Sequence, residues 1–287
     1  MIQPELIADY QCHIGENPLW HLLEQRLYWT DITRGKLFRY DPATGKHEQC
    51  YSGPPVGGFT VQADGTLLLF MARGAIAQWR DGKLTYIIEE ISDEHESRFN
   101  DVIADPVGRV FCGTMPTPTR PGRLYRLDPD GLLHLILEGI GVSNGMGFTL
   151  DRQRMYYTDS AACSIYLFDY DKKTGALTNQ RIWLHTPEGA GAPDGMTVDA
   201  QGYVWSARWD DSALYRYTPD GFEERRIEFP AKKVSSVAFG GEDLSDLYIT
   251  TALTDGTKAE EGAGAGALFR LRLGIRGLPE FFSRIRI

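Results

Sequence analysis

The feature that most constrains this chain of 287 residues is a pair of short apolar runs that recurs six times. Apolar and polar residues alternate in most of these runs, with the period of a half-buried β-strand. The first run is rich in aromatic and β-branched residues, and its copies start 40 to 48 residues apart. The first runs cover residues 27–29, 67–69, 110–111, 155–157, 203–205 and 247–249; the second runs cover 37–40, 76–79, 124–127, 165–168, 214–217 and 268–271.

Turn residues separate these runs. Asp-Gly dipeptides stand at 64–65, 81–82, 130–131 and 220–221, and residues 41–45 form a longer Asp-Pro turn signal. A run of smaller residues precedes each first run, as at 57–61 and 195–198, which suits a crowded innermost strand. Six such four-stranded units predict an all-β, six-bladed β-propeller with four antiparallel strands per blade. No linker interrupts the repeats, so one domain over residues 1–287 is expected. A β-sandwich, or a pair of them, is the alternative, and six copies in one phase argue against it.

Charge and composition limit the classes of partner that this chain is expected to bind. The formal net charge is -9 and the pI is about 5.2, so nucleic acid and anionic membranes are poor partners. The first residues show no signal-peptide pattern, and no apolar run approaches the ~18 residues of a membrane span. The four widely spaced cysteines have no CxxC motif, which favours reduced thiols. A cytoplasmic protein, a monomer or weak oligomer, is expected.

One position in each repeat points to the propeller axis. It opens each innermost strand, 9 to 12 residues before the first run, and rotation about the axis would bring all six copies into a ring. The ring holds Glu16, Gly57, Asn100, Asn144, Asp194 and Ser235. Carboxylate and amide oxygens are ligands for hard divalent cations, whereas a histidine-built zinc site is not offered. Hairpin turns at Asn144-Gly145 and Asp194-Gly195 are the alternative, but these dipeptides open innermost strands instead of preceding the next strand.

The motifs around this ring resemble those of a known family. They are Gly-Glu-Asn-Pro-Leu-Trp at 15–20, Arg-Phe-Asn-Asp at 98–101, Gly-Thr-Met at 113–115, Ser-Asn-Gly-Met at 143–146 and Pro-Asp-Gly-Met at 193–196. Together they resemble the senescence marker protein / gluconolactonase / luciferin-regenerating enzyme family, which includes regucalcin and bacterial sugar lactonases. The resemblance implies a six-bladed propeller with one divalent metal on Glu16, Asn144 and Asp194. It also implies that Arg98 and Asn100 bind substrate and that Asp194 is the catalytic base.

The chain departs from the family pattern at two places, and other functions and residue roles stay open. The loop at 116–121 lacks the acidic residue that contacts substrate in animal members, and Gly147 stands where some relatives have Asp. A metal-dependent, gluconolactonase-like hydrolase of a sugar lactone is expected. Ca²⁺ is the first candidate cation, with Zn²⁺, Mn²⁺, Mg²⁺ and Fe²⁺ open. An organophosphate or aryl-ester hydrolase and a non-enzymatic calcium-binding propeller are the rival functions. A surface ion pair with Glu94 or Glu96 is the rival role for Arg98, and Arg208 and Trp209 are candidates to border the pocket.

Overall fold

The computed structural model describes residues 3–286 and folds them into six antiparallel sheets of four strands each. The innermost strands of successive sheets lie against one another in a closed cycle, which makes the architecture a six-bladed propeller. The all-β prediction and its four-stranded blades are therefore confirmed. Strands are numbered along the chain.

The four strands of a blade occupy four concentric positions. The innermost strands are β2 (Gly15–His21), β6 (Val56–Val61), β10 (Phe99–Ala104), β14 (Ser143–Phe148), β18 (Ala192–Val198) and β22 (Lys233–Gly240). The second strands are β3 (Arg26–Asp31), β7 (Leu67–Met71), β11 (Val110–Thr114), β15 (Arg154–Asp159), β19 (Val204–Trp209) and β23 (Asp246–Ala252). The third strands are β4 (Lys36–Asp41), β8 (Ile76–Arg80), β12 (Gly122–Leu127), β16 (Ser164–Tyr170), β20 (Ala213–Tyr217) and β24 (Ala267–Arg272). The outer strands are β5 (Lys46–Ser52), β9 (Lys83–Ile88), β13 (Leu133–Ile140), β17 (Leu177–His185), β21 (Glu223–Glu228) and β1 (Glu5–Asp9).

Burial falls from the axis outwards, and the residue types follow it. Every residue of β6 and β14 is buried, as is every residue of β7 and β11 in the second layer. In contrast, the outer strands β5 and β17 expose most of their residues, and most of these exposed residues are polar. The apolar cores lie between neighbouring blades, where the second and third strands bury their aromatic and aliphatic side chains.

The last blade is closed by the beginning of the chain. Strand β1 pairs antiparallel with β24, so blade six takes three strands from the C-terminal half and one from the N-terminus. The carboxylate of Glu5 accepts two hydrogen bonds from Nη2 of Arg270, at 3.0 and 2.8 Å, across this seam. The sequence repeat did not predict this closure, because the pairing joins residues at opposite ends of the chain.

The turn glycines behave as predicted. The glycines of the four Asp-Gly dipeptides, Gly65, Gly82, Gly131 and Gly221, all have positive φ between 80° and 86°. Gly82 is the second residue of a two-residue hairpin turn, where positive φ is required. In the other three turns the glycine N–H donates to the carbonyl three residues earlier, so the glycine ends the turn. The glycines after Asn144 and Asp194 instead lie inside strands β14 and β18. The hairpin alternative for those two dipeptides is therefore wrong.

The two ends of the propeller differ. Residues 273–286, which we call the C-terminal crossing segment, run over the turns that join innermost to second strands, with backbone hydrogen bonds to Leu244, Val61 and Gly108. At the opposite end the insertion between β23 and β24 contains a single helical turn, α1 (Lys258–Glu261), which begins with a capping box at Thr257. No helix among residues 3–286 has the length and apolar character to cross a membrane. The four cysteines are free thiols.

Candidate active site

The innermost strands share a distortion at the ring position. Each of the six pairs with its second strand through a shifted register, as between Phe99 and Val102, Ser143 and Met146, and Pro193 and Met196. The shifts in the other three innermost strands lie between Glu16 and Leu19, Val56 and Gly58, and Val234 and Ser236. Bulges of this kind re-aim a side chain out of the ordinary alternation of a strand. Asn100, Asn144 and Asp194 all lie inside such a bulge.

The predicted site residues converge on one cavity of about 340 Å³. Its polar lining comes from blades one, three, four and five and consists of Glu16, Arg98, Asn100, Asn144, Ser160 and Asp194. All five residues selected from the sequence are in this set, although they are separated by up to 178 positions in the chain (194 − 16). The structure thus brings together the residues on which the sequence-based hypothesis depends.

An apolar wall completes the cavity. It is made by Ile14, Met115, Val142, Ala161, Ala192 and Trp209. These residues lie just before or at the start of innermost strands, or at or just after the end of second strands, so they mark one mouth of the channel. Lys233 lies 5.8 Å from the Trp209 ring and forms ion pairs with Asp210 at 3.1 Å and with Glu261 of α1. The insertion of blade six is thereby attached to the wall.

Ionisation of the carboxyl groups of the site is energetically unfavourable in the protein without a compensating cation. Burial raises the pKa of Glu16 and of Asp194 well above the ordinary values. The neighbouring Asp101 carboxylate raises both pKa values further, and Glu16 does the same to Asp194. Burial raises the pKa of Asp101 itself to about 7, opposed by the charge of Arg98. Like charges held out of water favour protonation unless a cation compensates them.

Hydrogen bonds orient the amides of the ring. Nη1 of Arg98 donates to Oδ1 of Asn100 at 2.6 Å and to the Phe99 carbonyl at 2.9 Å. Because a guanidinium can only donate, the amide nitrogen of Asn100 must face the other way. It donates to the Ser143 carbonyl at 2.8 Å and to Oδ1 of Asn144 at 3.1 Å. Burial lowers the pKa of Arg98 to about 10, and the nearby carboxylates oppose that change.

Two candidate roles are corrected by these contacts. Glu94 is buried and pairs with Arg120 at 2.5 Å, and no ion pair joins Arg98 to a carboxylate within residues 3–286, so the surface ion pair proposed for Arg98 is wrong. Arg208 does not line the cavity: it is fully buried and donates to Tyr217 Oη at 2.7 Å and to Ser206 Oγ at 2.8 Å. Trp209, in contrast, lines the cavity as expected.

In blade six, the residue beside Glu16 differs from the one that the alignment of the sequence repeats predicted. Oγ of Ser235 donates to the Gly15 carbonyl at 2.5 Å, between blades one and six, and lies 3.0 Å from Oγ1 of Thr250, from which it can accept. It is the hydroxyl of Ser236 that acts on Glu16 and lowers the pKa of that carboxyl. The register shift between Val234 and Ser236 moves the axial side chain by one residue, which simple spacing could not reveal.

Sequence reasoning missed two polar groups near the axis. Asp101 directly follows a ring residue and acts electrostatically on both Glu16 and Asp194. Ser160 follows the end of β15 and lines the cavity. The available sequence signal for Asp101 was its place in the Arg-Phe-Asn-Asp motif, and only the structure shows the bulge in which it lies beside Asn100. No local sequence signal marks Ser160, because its neighbours in the site come from blades four and five.

The donor chemistry suits a hard divalent cation. Oδ1 of Asp194 is buried and finds no hydrogen-bond partner anywhere in residues 3–286. When ionised, Glu16, Asp101 and Asp194 together exceed the charge of Arg98 by two. No group of three or more His, Cys, Asp or Glu side chains is arranged as a metal site in the described part of the chain. The oxygen donors that line this cavity are carboxylates and amides, the ligand types that Ca²⁺ and Mg²⁺ accept.

Comparison with known proteins identifies the family. The region described as SMP-30/Gluconolactonase/LRE-like matches residues 14–253. The chain is 48% identical over 287 residues to a pentonolactonase of Haloferax volcanii and 32% identical over 293 residues to regucalcin of Gallus gallus, and each alignment covers 98% of both chains. The crystal structure of a calcium-binding protein, regucalcin, from Agrobacterium tumefaciens superposes with a TM-score of 0.91 at 25% identity, over 99% of this chain and 98% of that one. The chain belongs to the SMP-30/gluconolactonase/LRE-like family.

Proposed function

We propose that this protein hydrolyses a sugar-derived lactone with the help of one divalent cation held by Glu16, Asn144 and Asp194. Membership of the family makes the chain a hydrolase of carboxylic esters of the lactone type. The pentonolactonase at 48% identity supports aldonolactones as substrates and favours five-carbon sugars beside the six-carbon gluconolactone. The observation that carries the proposal is the single cavity that joins two buried carboxyls to a guanidinium and two amides.

The cavity supports a small polyol ring as the substrate. At about 340 Å³ it lies at the lower end of the range for small-molecule sites. Six of its twelve lining residues are polar and can bind sugar hydroxyls, while the apolar wall with Trp209 can pack against the carbon face of the ring. The loop at 116–121 supplies no carboxylate, so sugar selectivity depends on other residues of this cavity.

The residues fit a divalent cation, and Ca²⁺ is the first candidate because every donor is an oxygen. When bound, the cation would polarise the lactone carbonyl and favour ionisation of a nearby water. The regucalcin relatives and the calcium-binding structure support a divalent ion without fixing which one. Zn²⁺, Mn²⁺, Mg²⁺ and Fe²⁺ therefore belong in the test.

The side chains of this chain have distinct parts in the proposed reaction. Asp194 accepts a proton from the attacking water, whose oxygen adds to the acyl carbon of the lactone. The ring C–O bond then breaks, and the proton passes to the departing alkoxide to give the hydroxy acid. Arg98 uses Nη1 to hold Asn100, while Nε and Nη2 have no acceptor within residues 3–286 and can bind a substrate oxygen. Asn100 positions Asn144.

The test uses metal-stripped protein and a panel of pentonolactones and gluconolactone, each with the five cations in turn. Wild-type protein should bind one divalent ion and turn over at least one lactone. Asp194→Ala and Glu16→Gln should lose both properties by at least about 100-fold, because each removes a charged ligand. Their circular dichroism spectra should match wild type. Glu223→Gln, on the exposed outer strand of the same blade as Asp194, is the matched control and should leave ion binding and turnover unchanged.

Three results would contradict the proposal. Full turnover by metal-stripped Asp194→Ala protein would refute the metal-dependent mechanism. Calcium binding without turnover of any lactone would favour a non-enzymatic calcium-binding propeller. Faster hydrolysis of a phosphotriester or aryl ester than of any lactone would favour the other hydrolase chemistry.

A further inference from the structure

A one-directional chain of hydrogen bonds runs around half of the ring. It begins at Arg98, which can only donate, and passes through Asn100 to Oδ1 of Asn144. With its oxygen facing Asn100, the Asn144 amide turns its nitrogen towards blade five. On that side, Nδ2 donates at 2.9 Å to Oγ of Ser160, which follows β15 of the same blade as Asn144. The donor at the start of the chain sets the Asn100 amide, and the contacts with Asn100 and Ser160 together set the Asn144 amide.

The hydroxyl proton of Ser160 is already used in a hydrogen bond to another group. Its Oγ donates to the Pro193 carbonyl at 2.6 Å, the residue directly before Asp194. A hydroxyl has one proton and two lone pairs, so Ser160 can only accept from Asn144. A reversed Asn144 amide would place its oxygen against the Ser160 oxygen and its nitrogen against Nδ2 of Asn100. Both ends of a reversed amide would then lose their hydrogen bonds.

We propose that Ser160 is a positioning residue that locks the orientation of the Asn144 amide, whose oxygen faces Asn100 and would be the ion ligand, and links that amide to the backbone beside Asp194. The inference rests on the proposed function, since it concerns the cation that Asn144 would help to hold. Asn144 and Asp194 come from different blades, and Ser160 lies between them with a hydrogen bond to each side. Outer hydrogen-bond partners of this kind typically change metal affinity by about 10–100-fold when removed.

The experiment measures divalent-ion affinity by titration calorimetry on metal-stripped protein, with Ca²⁺ and Mn²⁺ as the probes. Ser160→Ala should weaken binding by about 10-fold or more, because the Asn144 amide then keeps only its contact with Asn100 and loses the acceptor that holds its nitrogen away from the ion site. Ser160→Thr keeps the hydroxyl and should bind within about 3-fold of wild type. Melting temperatures measured without ion report separately on the lost hydrogen bond to the Pro193 carbonyl.

A double-mutant cycle with Asn144→Asp separates orientation from general loosening of the site. A carboxylate has two oxygens and therefore no wrong end. In the Asn144→Asp background, Ser160→Ala should cost at most about 3-fold in ion affinity, far less than in the Asn144 background. An equal cost in both backgrounds would overturn the inference.

The outcomes also separate this inference from the proposed function. If wild-type protein binds the ion and Ser160→Ala binds it equally well, the inference is wrong while the proposed function stands. A lower melting temperature of Ser160→Ala with unchanged ion affinity shows a purely structural role and likewise overturns it. If wild-type protein binds no divalent ion, both the proposed function and the inference fail.

Discussion

Ionisation of a buried carboxyl group near the axis is energetically costly, and one such group lies outside the proposed ion site. Glu280, in the C-terminal crossing segment, lines a small cavity of about 60 Å³ together with Asp101. Burial raises its pKa from 4.5 to about 7. Unlike Glu16 and Asp194, it belongs to the far end of the channel, so its titration can be studied without disturbing the ion site.

Glu280 should make the protein less stable as the pH rises. Below about pH 4.5 the group is protonated in both the folded and the unfolded chain and has no effect. Between pH 4.5 and about 7 the unfolded chain ionises first, so the free energy of unfolding falls, by about 3 kcal/mol at most. Glu280→Gln should remove this part of the slope in urea titrations between pH 5 and pH 8.

The control for this prediction is Glu223→Gln on an exposed outer strand, which should keep the wild-type slope. Asp101, whose pKa burial also raises to about 7, keeps some pH dependence in the Glu280 variant. An unchanged slope in Glu280→Gln would show that this carboxyl ionises in the folded protein as readily as in the unfolded chain.

At the scale of the strand, glycines decide how closely the blades approach at the axis. A Cβ on Gly145 of β14 would lie 2.6 Å from the Asp194 carbonyl oxygen and 2.6 Å from the Met196 nitrogen of β18. Both contacts are with backbone, which cannot rotate away as a side chain can. The glycine after Asn144 is therefore required by the packing of two innermost strands, although its dipeptide looks like a turn.

Gly145→Ala should accordingly separate blades four and five. Overpacking of this kind costs about 1–3 kcal/mol, and the shift between Asn144 and Asp194 should also weaken Ca²⁺ binding by about 10-fold or more. Chemical denaturation and calorimetric titration would measure the two effects. Gly131→Ala is the comparison, because that turn glycine has open space around it and a φ of +86°. It should cost about 1 kcal/mol through backbone strain and leave ion binding unchanged. Equal ion affinity in both variants would contradict the packing argument.

At the scale of the whole molecule, the ring is closed by β1, which covers the edge of β24 that would otherwise be unpaired. The C-terminal crossing segment adds contacts over the opposite end of the channel, where Phe281 packs on Phe148. Both terminal segments thus add to the contacts that the innermost strands already make around the ring.

Deletion of residues 1–10 should open the ring. We expect the melting temperature to fall by about 10 °C or more, because a whole strand and its edge hydrogen bonds are lost. Glu5→Ala removes only a half-exposed ion pair at the same seam and should cost about 1 kcal/mol at most, or about 2–4 °C. Differential scanning calorimetry measures both. A deletion variant that melts within a few degrees of the full chain would show that the ring closes without β1.

Much of this architecture can be predicted from sequence because a strand's signal is local. Alternation of apolar and polar residues is visible within five or six residues, and a turn glycine such as Gly65 lies close to the strand that follows it. The phase of the repeat was enough to place Asn100, Asn144 and Asp194 at the axis and to distinguish them from turn residues. The roles of these residues as ion ligands, substrate contacts and base stay predictions.

What only the tertiary structure decided are the contacts that depend on rotation about the axis and on the direction of single side chains. Three observations are of this kind: the pairing of β1 with β24, the one-residue shift that replaces Ser235 by Ser236 beside Glu16, and the burial of Arg208 away from the cavity. So is the hydrogen-bond chain that ends at Ser160. The repeat determined which residues share a height along the axis, because equivalent positions are related by symmetry. It could not determine which way each side chain turns, because that depends on hydrogen bonds between blades.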